Sequence, residues 1–263
     1  MVSTSPVETS IDKGTYGTVH KTKINGELVA IKRIPLDLYS KSFQNETFIG
    51  FQMSNLKHVV QFRKSFIEGE SGCIVMDLCK TNLLQICKKL NTNLSEKLVA
   101  SIFYQICLAV KELHEIGIAH LDLKLENILL TEENRIKLCD FGCSANFNDL
   151  EQKIRITHKI GTPIYLAPEI ESTNFLPTKA DIWSLGIILH LLLAQCFPIK
   201  TTCATSYVDP YNFTLSHCRY RSKKCRNLVK SLLDFKAKKR PSIQDVLRHP
   251  WMKVHTKLHS NNL

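Results

Sequence analysis

Two acidic residues, a lysine, an amide and a histidine fall within His120-Leu121-Asp122-Leu123-Lys124-Leu125-Glu126-Asn127, interleaved with leucines and leading into the apolar run Ile128-Leu129-Leu130. In such a stretch Asp122 can accept a proton from a hydroxyl, Lys124 can neutralise a transferring phosphoryl group, and Asn127 can hold a metal ion. Thirteen residues beyond Asn127 comes Asp140-Phe141-Gly142, a carboxylate on a turn after the strand-like run Ile136–Cys139. Amide and carboxylate oxygens together suit a hard, octahedral Mg²⁺ ion that bridges phosphates. Nearer the N-terminus, Gly14-Thr15-Tyr16-Gly17-Thr18-Val19 supplies glycines that let main-chain N–H groups approach phosphate oxygens. Thirteen residues past Val19, Lys32 ends Ala30-Ile31-Lys32 inside an apolar strand pattern. A buried ammonium is costly alone, and a phosphate with a carboxylate would partner it.

The elements that must position these groups divide into two kinds. Short β-rich runs occupy Gly17–Lys21, Leu28–Ile34, Val59–Phe66 and Cys73–Leu78, separated by turns such as Asn25-Gly26 and Glu68-Gly69-Glu70. Only the stretch near Ser42–Leu56 breaks the strand pattern, and it reads as helical. Beyond residue 80 the chain is mainly helical. Ser95–Glu115 carries Leu98, Val99, Ile102, Ile106, Val110 and Leu113 at helical spacing, with Gly117 as a stop. Thr178 with Asp181, and Ser242 with Asp245, form capping-box patterns. Ile182–Phe197 is strongly apolar but shorter than the roughly 20 residues a bilayer span needs, so it is expected to be a buried central helix rather than a membrane segment. The fold class expected is α+β, with a small β-rich lobe followed by a larger helical one.

Composition sets outer limits. The 263 residues are 44% hydrophobic and 22% charged, which excludes a mainly disordered chain. The formal charge of +11 is concentrated late, where Arg219, Arg221, Lys223, Lys224, Arg226 and Lys230 open a basic run that continues through Lys236–Arg240. Such a surface attracts an acidic partner or nucleic acid, although an ordinary solvated face has the same composition. Ten cysteines show no Cys-x-x-Cys pair and no zinc spacing, and Met1–Ser10 lacks the apolar core of a signal peptide. The expectation is a reducing compartment, cytoplasmic or nuclear, with no secretion.

Taken together, these motifs resemble the eukaryotic protein kinase family, of the serine/threonine type. The resemblance runs from about Ile11 to Trp251 and adds Ala167-Pro168-Glu169, Asp181-Ile182-Trp183-Ser184-Leu185-Gly186 and Arg240 in family order. It implies one kinase domain over residues 1–263: an N-lobe over about 1–78, a hinge over 77–82, a C-lobe over about 83–253 and a short tail over 254–263. It implies ATP and Mg²⁺ as cofactors and proteins as substrates. Ile11, Asp12, Lys13 and the glycine loop Gly14–Val19 would cover the phosphates. Val19 and Ala30 would lie above adenine and Leu129 below it, with Met76 as gatekeeper. The Asp77 carbonyl and Cys79 main chain would read the adenine edge, and Asn82 stands where a ribose contact is usual. Lys32 would hold the α- and β-phosphates and pair with a helix glutamate. Glu46 is the candidate, being the only acidic residue between Asp37 and Glu68. Asp122 would orient and deprotonate the substrate hydroxyl, Lys124 would contact the γ-phosphate, Asn127 and Asp140 would hold Mg²⁺, and Thr162 would support Asp122 and Lys124. Glu169 and Arg240 would form a buried ion pair.

Two positions depart from the family pattern. Asp12 replaces the first glycine of the phosphate loop, and Leu121 replaces the arginine that usually precedes the catalytic aspartate and clamps a phosphorylated loop. Thr157, five residues before Thr162, stands where a phospho-acceptor is common, but Leu121 removes the usual cation for it. Two other functions compete with an active enzyme. A pseudokinase scaffold would be marked by loss of one of Lys32, Asp122, Asn127 or Asp140, and all four are present. A nucleic-acid-binding protein would carry a recognised binding motif in its basic run, which this chain lacks.

Overall fold

In the computed structural model, residues 8–14, 16–53, 55–90, 94–148, 161–170, 175–198 and 222–256 are described. Asn25 and Gly26 take φ of 51° and 83°, the two left-handed residues that a tight hairpin requires. That turn folds β2 (Thr18–Ile24) onto β3 (Glu27–Pro35). With β1 (Thr9–Lys13), β4 (Phe62–Glu68) and β5 (Ser71–Asp77) they form an antiparallel sheet in the order β1-β2-β3-β5-β4. Period-two alternation puts Ala30, Lys32 and Ile34 on the face covered by helix α1 (Leu36–Gln52). Val29, Ile31, Cys73 and Val75 form a small cluster of their own.

Several boundaries differ from the sequence expectation. A helical turn at the start of α1 precedes Ser42, but Tyr39 (φ −131°, ψ 28°) kinks the chain there, and the helix beyond it ends at Gln52 rather than Leu56. The strand expected from Val59 starts at Phe62 instead. Val59 makes a parallel bridge to Leu138, and the Val60 N–H donates to the Leu138 carbonyl at 2.9 Å. This segment is therefore tied to the helical lobe rather than to the sheet.

The chain crosses from β5 through Leu78–Lys80 into β6 (Thr81–Asn82) and α2 (Leu83–Lys89). Helix α3 (Glu96–Glu115) is capped by Ser95, whose hydroxyl accepts the Leu98 N–H, and is followed by Gly117 at φ 84°. Next come β7 (Ile118–Ala119), β8 (Ile128–Leu130), β9 (Ile136–Leu138) and β10 (Ala145–Asn146), arranged as β6-β8-β9 and β7-β10 ladders. Helix α4 (Pro177–Ala194) is buried along nearly its whole length, which explains how strongly apolar it is from Ile182 onward. Helix α5 (Lys223–Leu232) packs on it, while α6 (Ile243–Arg248) and α7 (Pro250–Thr256) pack on α3. No described helix is long and apolar enough to cross a membrane.

The capping box expected at Ser242 and Asp245 forms, whereas the one expected at Thr178 and Asp181 does not. Pro177 opens α4 after Leu176, so Thr178 already lies inside the first turn. Asp181 turns its carboxylate to the main chain of residues 120 and 121 instead. Arg240, counted in sequence with the basic run, is likewise buried, while Lys236, Lys238 and Lys239 beside it are exposed. All eight described cysteines are free thiols. One apolar core runs from Ala30 and Met76 under the sheet to Trp183 and Trp251 among the helices.

Candidate active site

Strand alternation points Lys32 inward beneath the sheet, where α1 presents Glu46 with no solvent exposure. The Lys32 ammonium donates to both Glu46 oxygens, at 2.9 and 2.7 Å, and to Asp140 Oδ1 at 2.8 Å. Burial alone would lower the lysine pKa, but Glu46 and Asp140 outweigh it and hold Lys32 above its ordinary range. One cation thus faces two carboxylates. Asp140, buried yet held by Lys32, stays below the usual carboxylate range. The surplus falls on Glu46, which burial lifts, Lys32 draws down and Asp140 lifts again, to about 7.

Asp140 sits at φ 65°, a left-handed conformation that aspartate tolerates better than most residues. Gly142 follows close against α1, where an added Cβ would meet Ser42 Oγ at 2.6 Å. Gly17 is equally confined, because a Cβ there would lie 2.0 Å from the Arg33 carbonyl oxygen. The Gly14 N–H donates to the Gly17 carbonyl at 2.9 Å and closes the loop between β1 and β2.

The second cluster surrounds Asp122, which is 4% exposed. Its Oδ1 accepts the Thr162 hydroxyl at 2.9 Å, and its Oδ2 accepts Lys124 Nζ at 2.7 Å. Lys124 also donates to Thr162 Oγ1 at 2.9 Å. Burial would depress Lys124, but Asp122 and the nearby Asp140 raise it instead. Asn127 commits its Nδ2 to the Asp122 carbonyl at 2.9 Å and to Asp122 Oδ2 at 3.2 Å. That leaves Asn127 Oδ1 and Asp140 Oδ2 as the oxygens for a hard cation. Among the described residues no group of three or more His, Cys, Asp or Glu could hold a metal. The pair therefore fits an ion such as Mg²⁺ that takes its other ligands from phosphates and water.

Asp181, expected as a helix cap, is a support of this loop. Its carboxylate accepts the His120 N–H at 2.9 Å, the Leu121 N–H at 2.8 Å and His114 Nε2 at 2.9 Å. Leu121 lies at φ 62°, a conformation that costs an ordinary side chain roughly 1–2 kcal/mol. The two main-chain bonds to Asp181 offset that strain.

Other expected positions fall as follows. Ala30 pairs with Met76 in the sheet, and both are buried. Val19 and Leu129 are half-buried and pack against the same core. The Asp77 carboxylate accepts Arg63 Nε at 2.9 Å, and burial pushes the Cys79 thiol up to about 11. Asn82 is buried and caps α2, its Oδ1 accepting the Gln85 N–H at 2.9 Å, a duty sequence reading did not assign. Ile11, Asp12 and Lys13 are exposed on β1. Thr15 and Thr157 lie outside the described residues. Arg240 grips both Glu169 oxygens, at 2.6 and 2.7 Å, donates to the carbonyls of Lys179 and Asp234 at 2.8 Å, and lies 4.9 Å over the Trp183 ring.

Two contacts escaped sequence reading. The Tyr16 hydroxyl lies 3.0 Å from Cys143 Sγ, and its ring meets Tyr39 edge-on at 5.4 Å. Asn45 donates to three carbonyls in the segment after Asp140. Nothing in the local pattern marks them, since Tyr16 and Cys143 are 127 positions apart and Asn45 and its acceptors 96 to 99.

Comparison with known proteins adds an independent observation. The protein kinase domain family matches residues 6–252. Serine/threonine-protein kinase dst2 of Dictyostelium discoideum is 32% identical over 262 residues, covering 92% of this chain and 22% of that protein. CBL-interacting serine/threonine-protein kinase 5 of Arabidopsis thaliana is 32% identical over 252 residues, covering 92% of this chain and 56% of the relative. Serine/threonine-protein kinase PEPKR2, also from Arabidopsis thaliana, is 30% identical over 256 residues, covering 94% and 53%. The chain thus spans about half the length of these relatives, or less.

Proposed function

Because the chain belongs to the protein kinase family, we propose that it transfers the γ-phosphoryl group of Mg-ATP to serine and threonine hydroxyls of protein substrates. The observation that carries this reading is the pairing of two adjacent clusters, Lys32/Glu46/Asp140 and Asp122/Lys124/Asn127/Thr162, each closed by direct hydrogen bonds. In this reading the sheet lobe covers about 1–78, the hinge 77–82, the helical lobe about 83–253 and the tail 254–263.

Lys32, held in place by Glu46, binds the α- and β-phosphates. Asp140 and Asn127 supply oxygens to Mg²⁺, which when bound neutralises charge on the phosphoryl oxygens. Val19, Ala30 and Leu129 sandwich the adenine, Met76 closes its back, and the main chain of Asp77 and Cys79 reads its edge. The glycine loop Gly14–Val19, with Ile11, Asp12 and Lys13 before it, covers the phosphates. Asp122 accepts the proton of the substrate hydroxyl while Thr162 fixes its orientation. Lys124, cationic beside Asp122, offsets charge on the phosphoryl group in flight. Glu169 with Arg240, and Asp181 under the loop, keep these groups at their distances.

The test is a transfer assay. Incubating the purified chain with Mg-ATP and a mixed peptide library, then locating phosphate by mass spectrometry, should give phosphoserine and phosphothreonine. Phosphotyrosine alone would overturn the serine/threonine assignment. No transfer with any divalent metal would favour a scaffold that binds partners without catalysis.

A further inference from the structure

Asn45 stands immediately before Glu46 on α1, and it carries none of the roles assigned above. Its Nδ2 donates to the carbonyls of Phe141 at 3.3 Å, Gly142 at 3.2 Å and Ser144 at 2.9 Å. All three belong to the segment that leaves Asp140. Ser144 passes the connection on, donating its hydroxyl to the His120 carbonyl at 3.1 Å. A continuous hydrogen-bonded path therefore runs from α1, through Phe141–Ser144, to the residue two positions before Asp122.

The chemistry suits an amide and little else. Three carbonyl oxygens converge on one point, so the group facing them must donate at least two N–H bonds. A carboxylate of the same shape would set its oxygens against theirs. A lysine would bring a second cation toward Glu46 and compete with Lys32. The segment is also pressed against the helix, as the 2.6 Å approach of a Gly142 Cβ to Ser42 Oγ shows. Glu46 and Asn45 are adjacent on α1, so a helix placed to pair Glu46 with Lys32 also places Asn45 on this segment.

We propose that Asn45 is a positioning residue. It fastens the Phe141–Ser144 main chain to α1, so that Asp140 is aimed at the cation whenever Glu46 is paired with Lys32. The fastening is neutral and permanent, and it needs no phosphate on the loop. It thereby supplies order to a chain whose Leu121 has no charge to contribute. What is being positioned rests on the kinase reading above, whereas the contact itself does not.

The test uses the whole chain and two readouts. In hydrogen exchange without nucleotide or metal, Asn45→Asp should speed exchange of the amides over Gly142–Ala145 roughly ten- to hundredfold, the equivalent of two lost hydrogen bonds. With Mg-ATP and peptide, the same variant should lower kcat by about tenfold or more and raise the half-saturating Mg²⁺ concentration. Gln44→Ala, on the exposed side of α1, should leave both readouts unchanged. Wild-type exchange and wild-type Mg²⁺ dependence in Asn45→Asp would overturn the proposal, as would an equal loss in Gln44→Ala. If Asn45→Asp does not fold, Asn45→Ala, which removes the bonds without adding repulsion, decides on the same criteria. A wild-type chain that transfers no phosphate would defeat the kinase reading, while the exchange data would still decide whether Asn45 holds the segment.

Discussion

Two sets of buried charge lie in this molecule, and they are built in opposite ways. In the helical lobe Arg240 meets Glu169 two bonds to two, two further donors reach the Lys179 and Asp234 carbonyls, and the Trp183 ring lies against it. Four of the five guanidinium N–H groups are bonded, which is what a buried ion pair needs to offset its desolvation. In the cleft, two cations, Lys32 and Lys124, face three carboxylates, Glu46, Asp122 and Asp140. That arrangement keeps surplus negative charge and spare oxygens, and burial, with Asp140 nearby, pushes Glu46 up to about 7 against the pull of Lys32. The lesson is that the first pair is finished without a ligand, whereas the second is completed by a cation and phosphates. Stability should therefore depend on the knot at Arg240, and rate on the cleft.

The sharpest way to break that contrast is to neutralise one cleft carboxylate. Asp122→Asn keeps the shape and should lower turnover by about 10²–10⁴-fold, the range for a positioned general base. Its melting temperature and nucleotide affinity should stay near those of the wild type. Calorimetry showing a large loss of stability in this variant would mean that the cleft charges also hold the fold.

Next in size is the knot itself. Arg240→Ala strands Glu169 and two carbonyls, and should cost roughly 3–5 kcal/mol of stability. For a chain of this size that corresponds to a fall of about 10 °C in melting temperature. Denaturant titration of the two variants side by side checks it. A cost below about 1 kcal/mol, the worth of a surface pair, would erase the distinction between the two regions.

The smallest effect is expected at the loop. Thr157→Ala should keep most of the wild-type rate, and phosphatase treatment should change little, because Leu121 has no charge for a phosphate to pair. Steady-state kinetics on the variant would show this. A loss of about tenfold or more with normal folding would point to a cationic pocket elsewhere, and would give the loop a switch that the cleft does not display.

The motifs themselves were legible because chemistry restricts them to short spacings. Asp122, Lys124 and Asn127 lie on one loop, and Asp140 ends its own strand and turn, so their order in the sequence is nearly their order in space. The sheet and the long helices were legible for a similar reason, since alternation and helical periodicity are properties of neighbouring residues. Ser242 could be read as a cap because a cap bonds within its own first turn.

What the sequence could not decide is every choice made between distant segments. Thr178 and Asp181 satisfy the spacing of a capping box, yet Asp181 is taken by two N–H groups sixty or so residues earlier, which relieve the strain of Leu121. Asn82 carried no mark of a helix cap, because that duty shows only once its side chain meets the Gln85 N–H. Asn45 has no local mark at all, because its three acceptors lie 96 to 99 residues away. Residue type and spacing determined which chemistry this chain carries. Only the tertiary fold decided which polar groups are consumed in holding it together, because a buried donor must find its acceptor wherever packing brings one.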